Sequence, residues 1–92
     1  MNFEVRLHPD AARFLDGLDS KTKERIKDSL YQLREDPVRS RPKADIKKLK
    51  GTKGRQDLYR LRVGEYRIIY GVENRTVWVT DIFRRDRGYR GI

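Results

Sequence analysis

The chain has 92 residues, 36% hydrophobic and 40% charged, which allows one small core inside a charged shell and is too mixed in charge sign for a disordered polyelectrolyte. With no cysteine and a single histidine, it excludes a disulfide framework, a thiolate metal site, a cysteine nucleophile and a zinc site of the His/Cys kind. The net charge of +9 and an isoelectric point near 10.2 point to a polyanionic partner or an acidic protein.

No apolar run approaches the roughly 18 to 20 residues of a membrane span, and MNFEVRLHPD lacks the apolar stretch of a secretory signal. The expectation is a single domain over residues 1–92, cytoplasmic and without a membrane partner. Residues 2–7 alternate Phe3, Val5 and Leu7 with Asn2, Glu4 and Arg6, the period-two pattern of a half-buried strand. From Pro9, Ala11, Phe14, Leu15 and Leu18 recur at helical spacing, which makes His8 a surface or helix-entry residue. Asp19 and Ser20 are both good N-caps, and Thr22, Ile26, Leu30 and Leu33 form the stripe of a second helix. Asp36-Pro37 stops it, and residues 37–45 read as a surface connection.

In DIKKLKG, Ile46 and Leu49 are expected to pin a turn to the core, with GTKGRQ as a loop. Three strands follow, at about 57–63, 66–72 and 76–84. Gly64-Glu65 has the type II′ hairpin pattern, and Glu73-Asn74-Arg75 turns the next corner. The order β-α-α-β-β-β predicts an α+β fold, a helical hairpin packed on a small antiparallel sheet.

The charge is one-sided. Residues 1–40 hold eight bases and eight acids, so the remaining 15 of 23 bases face 6 of 14 acids and carry the whole excess. A two-residue Gly64-Glu65 loop sets Val63 opposite Tyr66, Arg62 opposite Arg67 and Arg60 opposite Ile69. Like charges so placed are destabilising unless an anion offsets them. Tyr59, Leu61 and Val63, with Tyr66, Ile68, Tyr70 and Val72, make the face that packs on the helices, so Arg60, Arg62 and Arg67 look outward. Arg84, Arg85, Arg87, Tyr89 and Arg90 arrive at the end of the neighbouring strand. Guanidinium forks suit phosphate, and a tyrosine among them suits an unpaired base. Gly51-Thr52-Lys53-Gly54 has the letters of a KH-domain loop, but a strand rather than a helix follows it. Trp78, in VWVTDIF, reads as a packed strand aromatic.

KKLKG, LYRLRVGEYRIIYGV and the ending FRRDRGYR resemble the RelE/ParE superfamily of bacterial and archaeal toxins, over essentially the whole chain. On its RelE-like branch, the resemblance implies a type II toxin that cuts mRNA in the ribosomal A site without metal or cofactor. The substrate's 2′-hydroxyl attacks the adjacent phosphate and leaves a 2′,3′-cyclic phosphate. It implies catalytic roles for Arg62 and Arg67 at the scissile phosphate, Arg85 at the leaving 5′-oxygen and Tyr89 stacked on an A-site base. RNA contacts fall to Arg60, Lys48, Lys50, Arg84, Arg87 and Arg90. The implied partners are mRNA, the small ribosomal subunit and a cognate acidic antitoxin of the RelB kind.

Two alternatives stay open, a ParE-like inhibitor of DNA gyrase and a non-catalytic RNA-binding module. No residue of the set is an evident proton acceptor, since arginine stays protonated. Strand parity from Val72 opposite Val77 puts Ile82 and Arg84, not Arg85, on the arginine face, and a bulge or strand end near Phe83 would reconcile the two.

Overall fold

The structure, a computed structural model, describes residues 2–49 and 57–87, the side chain of Arg87 excepted. Strand β1 (Glu4–Leu7) runs into helix α1 (Pro9–Asp16) and helix α2 (Ser20–Gln32). Strands β2 (Asp45–Lys48), β3 (Leu58–Val63), β4 (Tyr66–Glu73) and β5 (Thr76–Arg84) follow, and a 3-10 turn spans Arg85–Arg87.

Local chemistry sets the helix ends. His8 is extended and its imidazole Nδ1 accepts from the Asp10 N–H at 3.5 Å, with Pro9 in the first turn, where a missing N–H costs nothing. Gly17 ends α1 by donating its N–H to the Arg13 and Phe14 carbonyls. Asp19 then caps α2, its carboxylate accepting from the Thr22 N–H at 3.1 Å. The Thr22 side chain first, and this N–H bond after it, favour the ionised form and hold the Asp19 carboxyl below its ordinary value.

The sheet order is β1-β5-β4-β3-β2. The α+β reading holds, with two differences in the sheet. Asp45–Lys48, expected as a turn, is an edge strand antiparallel to β3. Ile46 opposite Leu61 buries the one apolar side chain it offers, while the charged neighbours point away, a period of two that four residues are too few to announce. In addition, β1 crosses over to pair in parallel with β5, so the sheet is mixed. Among the described residues, no helix is long and apolar enough to cross a membrane.

Both helices cover one sheet face. Ala11 and Leu15 of α1, and Ile26 and Leu30 of α2, meet Leu61, Val63, Ile68, Tyr70, Val77, Val79 and Ile82 in one core. Each large apolar side chain so buried contributes about 1.5–3 kcal/mol. The connection after α2 is tied down rather than loose. Pro37 is fully buried, and its carbonyl accepts from the buried Tyr70 hydroxyl at 2.8 Å. Arg41 donates to the carbonyls of Gln32, the last residue of α2, and of Asp36, at 2.7 and 2.9 Å, which ties the connection to the helix end.

Gly64 has φ of 56° and Glu65 has no positive φ, as the type II′ pattern requires. The next corner is tighter than expected. Glu73 pairs directly with Thr76, and only Asn74 and Arg75 turn the chain, both at positive φ, as a type I′ loop demands.

Candidate nucleic-acid interface

The β3–β4 register sets Val63 opposite Tyr66, Arg62 opposite Arg67 and Arg60 opposite Ile69. With Tyr59, Leu61, Val63, Ile68 and Tyr70 buried against the helices, the alternation of a strand sends Arg60, Arg62 and Arg67 to the other face. No described helix packs there.

The arginines are not simply solvated. Arg60 keeps only 17% of its side-chain surface exposed, and its Nε is buried with no hydrogen-bond partner among the described residues. The same holds for one terminal nitrogen, Nη1, of Arg67. Burial pulls the Arg67 guanidinium below its ordinary value, and the neighbouring charges of Arg60, Arg62 and Arg85 add to that effect. The group stays charged at neutral pH, so the strain falls on the fold rather than on the proton.

Arg85 belongs to this cluster, and the reason is a β-bulge. Tyr70 pairs with Val79 but Ile69 pairs with Asp81, which leaves Thr80 as an extra residue, its hydroxyl donating to the Ile69 carbonyl at 3.3 Å. The bulge lies three residues before Phe83 and reverses the strand's parity. Ile82 turns to the core opposite Ile68, and Phe83 sits on the arginine face opposite Arg67. Arg84 goes the other way, opposite Tyr66, with its guanidinium 6.0 Å from that ring and its Nε 3.4 Å from an Asp86 carboxylate oxygen. The parity expectation for Ile82 and Arg84 is therefore overturned. Arg85 donates its N–H to the Glu65 carbonyl at 2.6 Å, and its Nε stands 4.0 Å from the Glu65 carboxylate.

The extra strand brings in residues that sequence reasoning missed. Asp45 lies opposite Arg62 and bridges the two arginines of β3, at 3.2 Å to Arg60 and 3.4 Å to Arg62. Lys47 lies opposite Arg60 on the same face. Lys48 lies opposite Tyr59 and pairs with Asp57 at 3.2 Å, away from the cluster. The signal for Asp45 and Lys47 was the charged flanks of Ile46. Trp78 also departs from expectation. Its flanking residues Val77 and Val79 are buried, whereas Trp78 itself is 40% exposed on the outer face, with the Arg6 guanidinium 5.8 Å from its ring. Lys50, Tyr89, Arg90 and the loop 51–54 lie outside the described residues, as does the Arg87 side chain. Among the described residues, no three His, Cys, Asp or Glu side chains gather as a metal site.

What results is a face that gathers four guanidiniums, of which Arg60 and Arg62 pair with the Asp45 carboxylate and Arg85 stands near Glu65, and on which two buried N–H donors, one on Arg60 and one on Arg67, have no partner among the described residues. A phosphodiester, with its charge and several acceptor oxygens, fits that demand. The comparisons agree on kinship. A family model of the ParE toxin of the type II toxin-antitoxin system, parDE, matches residues 5–89. The RelE1 protein of Methanocaldococcus jannaschii, assigned as a toxin, is 30% identical over 98% of each chain. Among solved structures, the toxin of the archaeal RelE-RelB complex from Pyrococcus horikoshii is 33% identical, covers 96% of this chain and 100% of its own, and superimposes with a TM-score of 0.79. The RelB-RelE complex from Methanococcus jannaschii gives 26% identity, coverage of 88% and 91%, and a TM-score of 0.68. The RelBE2 complex of Mycobacterium tuberculosis, at 22% identity, coverage of 92% and 100% and a TM-score of 0.75, shares the fold. The chain belongs to the RelE/ParE superfamily of type II toxin-antitoxin toxins, with RelE proteins as its relatives.

Proposed function

We propose that this toxin is an endoribonuclease that cuts mRNA in the A site of the small ribosomal subunit, without metal, by attack of the substrate's own 2′-hydroxyl. The observation that carries the reading is Arg67, a guanidinium set directly opposite Arg62 with a buried donor unmatched among the described residues. Ordinary surface charge does not leave donors buried and unmatched, because each costs about 1–3 kcal/mol. A site that receives a phosphate does. Arg67 and Arg62 hold the scissile phosphate and stabilise the charge that grows on it, and Arg85 stabilises the leaving 5′-oxygen. Tyr89 stacks on an A-site base and aligns the 2′-hydroxyl, a contribution of positioning.

The cognate partner in this reading is a RelB-like antitoxin. The Pyrococcus and Methanococcus relatives were solved as complexes with RelB, and the +9 charge of this chain suits an acidic wrapping segment.

Primer extension on mRNA undergoing translation tests the activity. The expected result is cleavage at A-site codons that disappears with Arg67→Ala and with Tyr89→Ala. Intact mRNA in the presence of folded wild-type protein refutes the reading, and inhibition of gyrase supercoiling by the same protein would move it to the ParE-like class.

A further inference from the structure

Guanidinium groups can bind a phosphate and stabilise its charge, yet they do not accept a proton at neutral pH. The reaction proposed above needs an acceptor for the 2′-hydroxyl proton, and β2 brings a carboxylate onto the same face. We propose that the carboxylate of Asp45 is that acceptor, an assignment that rests on the nuclease reading. Its two oxygens face different partners, Oδ1 toward Arg60 and Oδ2 toward Arg62, so the group is held in one orientation at the edge of the phosphate site. Among the described carboxylates, Asp45 alone bridges two arginines of the cluster. Half of its side-chain surface remains exposed, and each oxygen keeps a lone pair beyond its single ion pair. Its charge also acts on Arg67, across from Arg62. A phosphate gripped by Arg62 and Arg67 therefore lies beside Asp45. Glu65, by contrast, stands near Arg85, at the leaving-group end, and Asp81 lies on β5 opposite Ile69.

The step balances with these groups. An Asp45 oxygen takes the proton of the 2′-hydroxyl as the O2′–P bond forms. The P–O5′ bond breaks, its electron pair leaves on O5′ beside Arg85, and O5′ takes a proton from water. The products are a 2′,3′-cyclic phosphate and a 5′-hydroxyl, and Asp45 returns its proton to solvent.

Single-turnover cleavage of a defined mRNA on ribosomes, with and without added formate, tests the assignment with wild-type, Asp45→Asn and Asp45→Ala proteins. Asp45→Asn is expected to cut at least about 100-fold more slowly while keeping its affinity for the programmed ribosome and its fold by circular dichroism. Added formate is expected to restore part of the cutting by Asp45→Ala. A variant that cuts nearly as fast as wild type overturns the assignment while leaving the nuclease reading intact. So does an Asp45→Ala protein that formate does not rescue, or a variant that loses ribosome binding together with cutting, since a purely structural brace would behave so. Wild-type protein that leaves mRNA whole overturns the nuclease reading, and the Asp45 assignment with it.

Discussion

Replacing Arg67 with methionine separates what the arginine face does for function from what it does to the fold. In the native chain Arg67 carries a buried Nη1 that has no partner among the described residues, and it stands across from Arg62. An unmatched buried donor costs about 1–3 kcal/mol. A like-charge pair directly across a ladder adds about 0.2–1 kcal/mol. Methionine keeps an unbranched stem of similar reach, so the packing of the arginine methylenes is largely retained while the charge and the donor are removed. Asp45 keeps both of its partners, Arg60 and Arg62. Arg67→Met is therefore expected to be more stable than the native protein by about 1–3 kcal/mol. In a domain of this size each kcal/mol raises Tm by about 4–8 °C. Urea titration and thermal melts in low salt measure the gain, and inorganic phosphate should stabilise the wild type more than the variant. The same variant should fail to cut mRNA. A loss of stability of more than about 1 kcal/mol in Arg67→Met would show that the guanidinium is satisfied in the free protein, and the argument for an awaited phosphate would fall.

Tyr70→Phe removes the hydroxyl that donates to the buried Pro37 carbonyl and should cost about 1–3 kcal/mol in urea titration with an unchanged denaturant slope; an unchanged midpoint would mean that the connection is not held there. The Asp36 carboxyl lies below its ordinary value, chiefly because it accepts from the Val38 N–H at 3.0 Å and the Arg39 N–H at 3.1 Å. A depressed carboxyl stabilises the fold fully above its unfolded value and loses that contribution as the pH falls through the folded one. The Tm gap between wild type and Asp36→Ala should therefore be full above about pH 5 and close toward pH 2, and a gap independent of pH would contradict the account. Deletion of Thr80 leaves Tyr70 opposite Val79 and Ile69 opposite Asp81 in an unbroken ladder, so the shortened chain should fold with Ile82 still buried. Loss of the cooperative melt would show that the bulge supplies twist the sheet requires.

Patterns with a short range were legible in the sequence. The helix stripe through Ile26, Leu30 and Leu33, the cap at Asp19 and the hairpin register around Gly64-Glu65 each depend on residues close in the chain. What escaped depends on distant partners. The edge strand at Asp45–Lys48 exists because β3 offers a ladder and Leu61 a neighbour for Ile46, and nothing in DIKK itself distinguishes that from a turn. The parallel pairing of β1 with β5 likewise joins opposite ends of the chain. Trp78 reads as a packed strand aromatic, yet strict alternation between the buried Val77 and Val79 places it on the outer face.

The bulge at Thr80 is the plainest case of geometry that composition hides, and it bears on the site directly. A ladder without it would have carried Arg84 to the arginine face and Arg85 to the helices. The extra residue exchanges them, setting Arg85 where its charge reaches Arg67 and leaving Arg84 over the ring of Tyr66. Thr80 and Asp81 carry no marker that would place the irregularity there rather than nearer Phe83. The marker lies on the partner strand and in the core, where Ile68 needs an apolar neighbour and finds it in Ile82. Burying Ile82 contributes about 1.5–3 kcal/mol, more than a surface arginine gains by facing either way, so packing on the helix face decides which cation the other face receives.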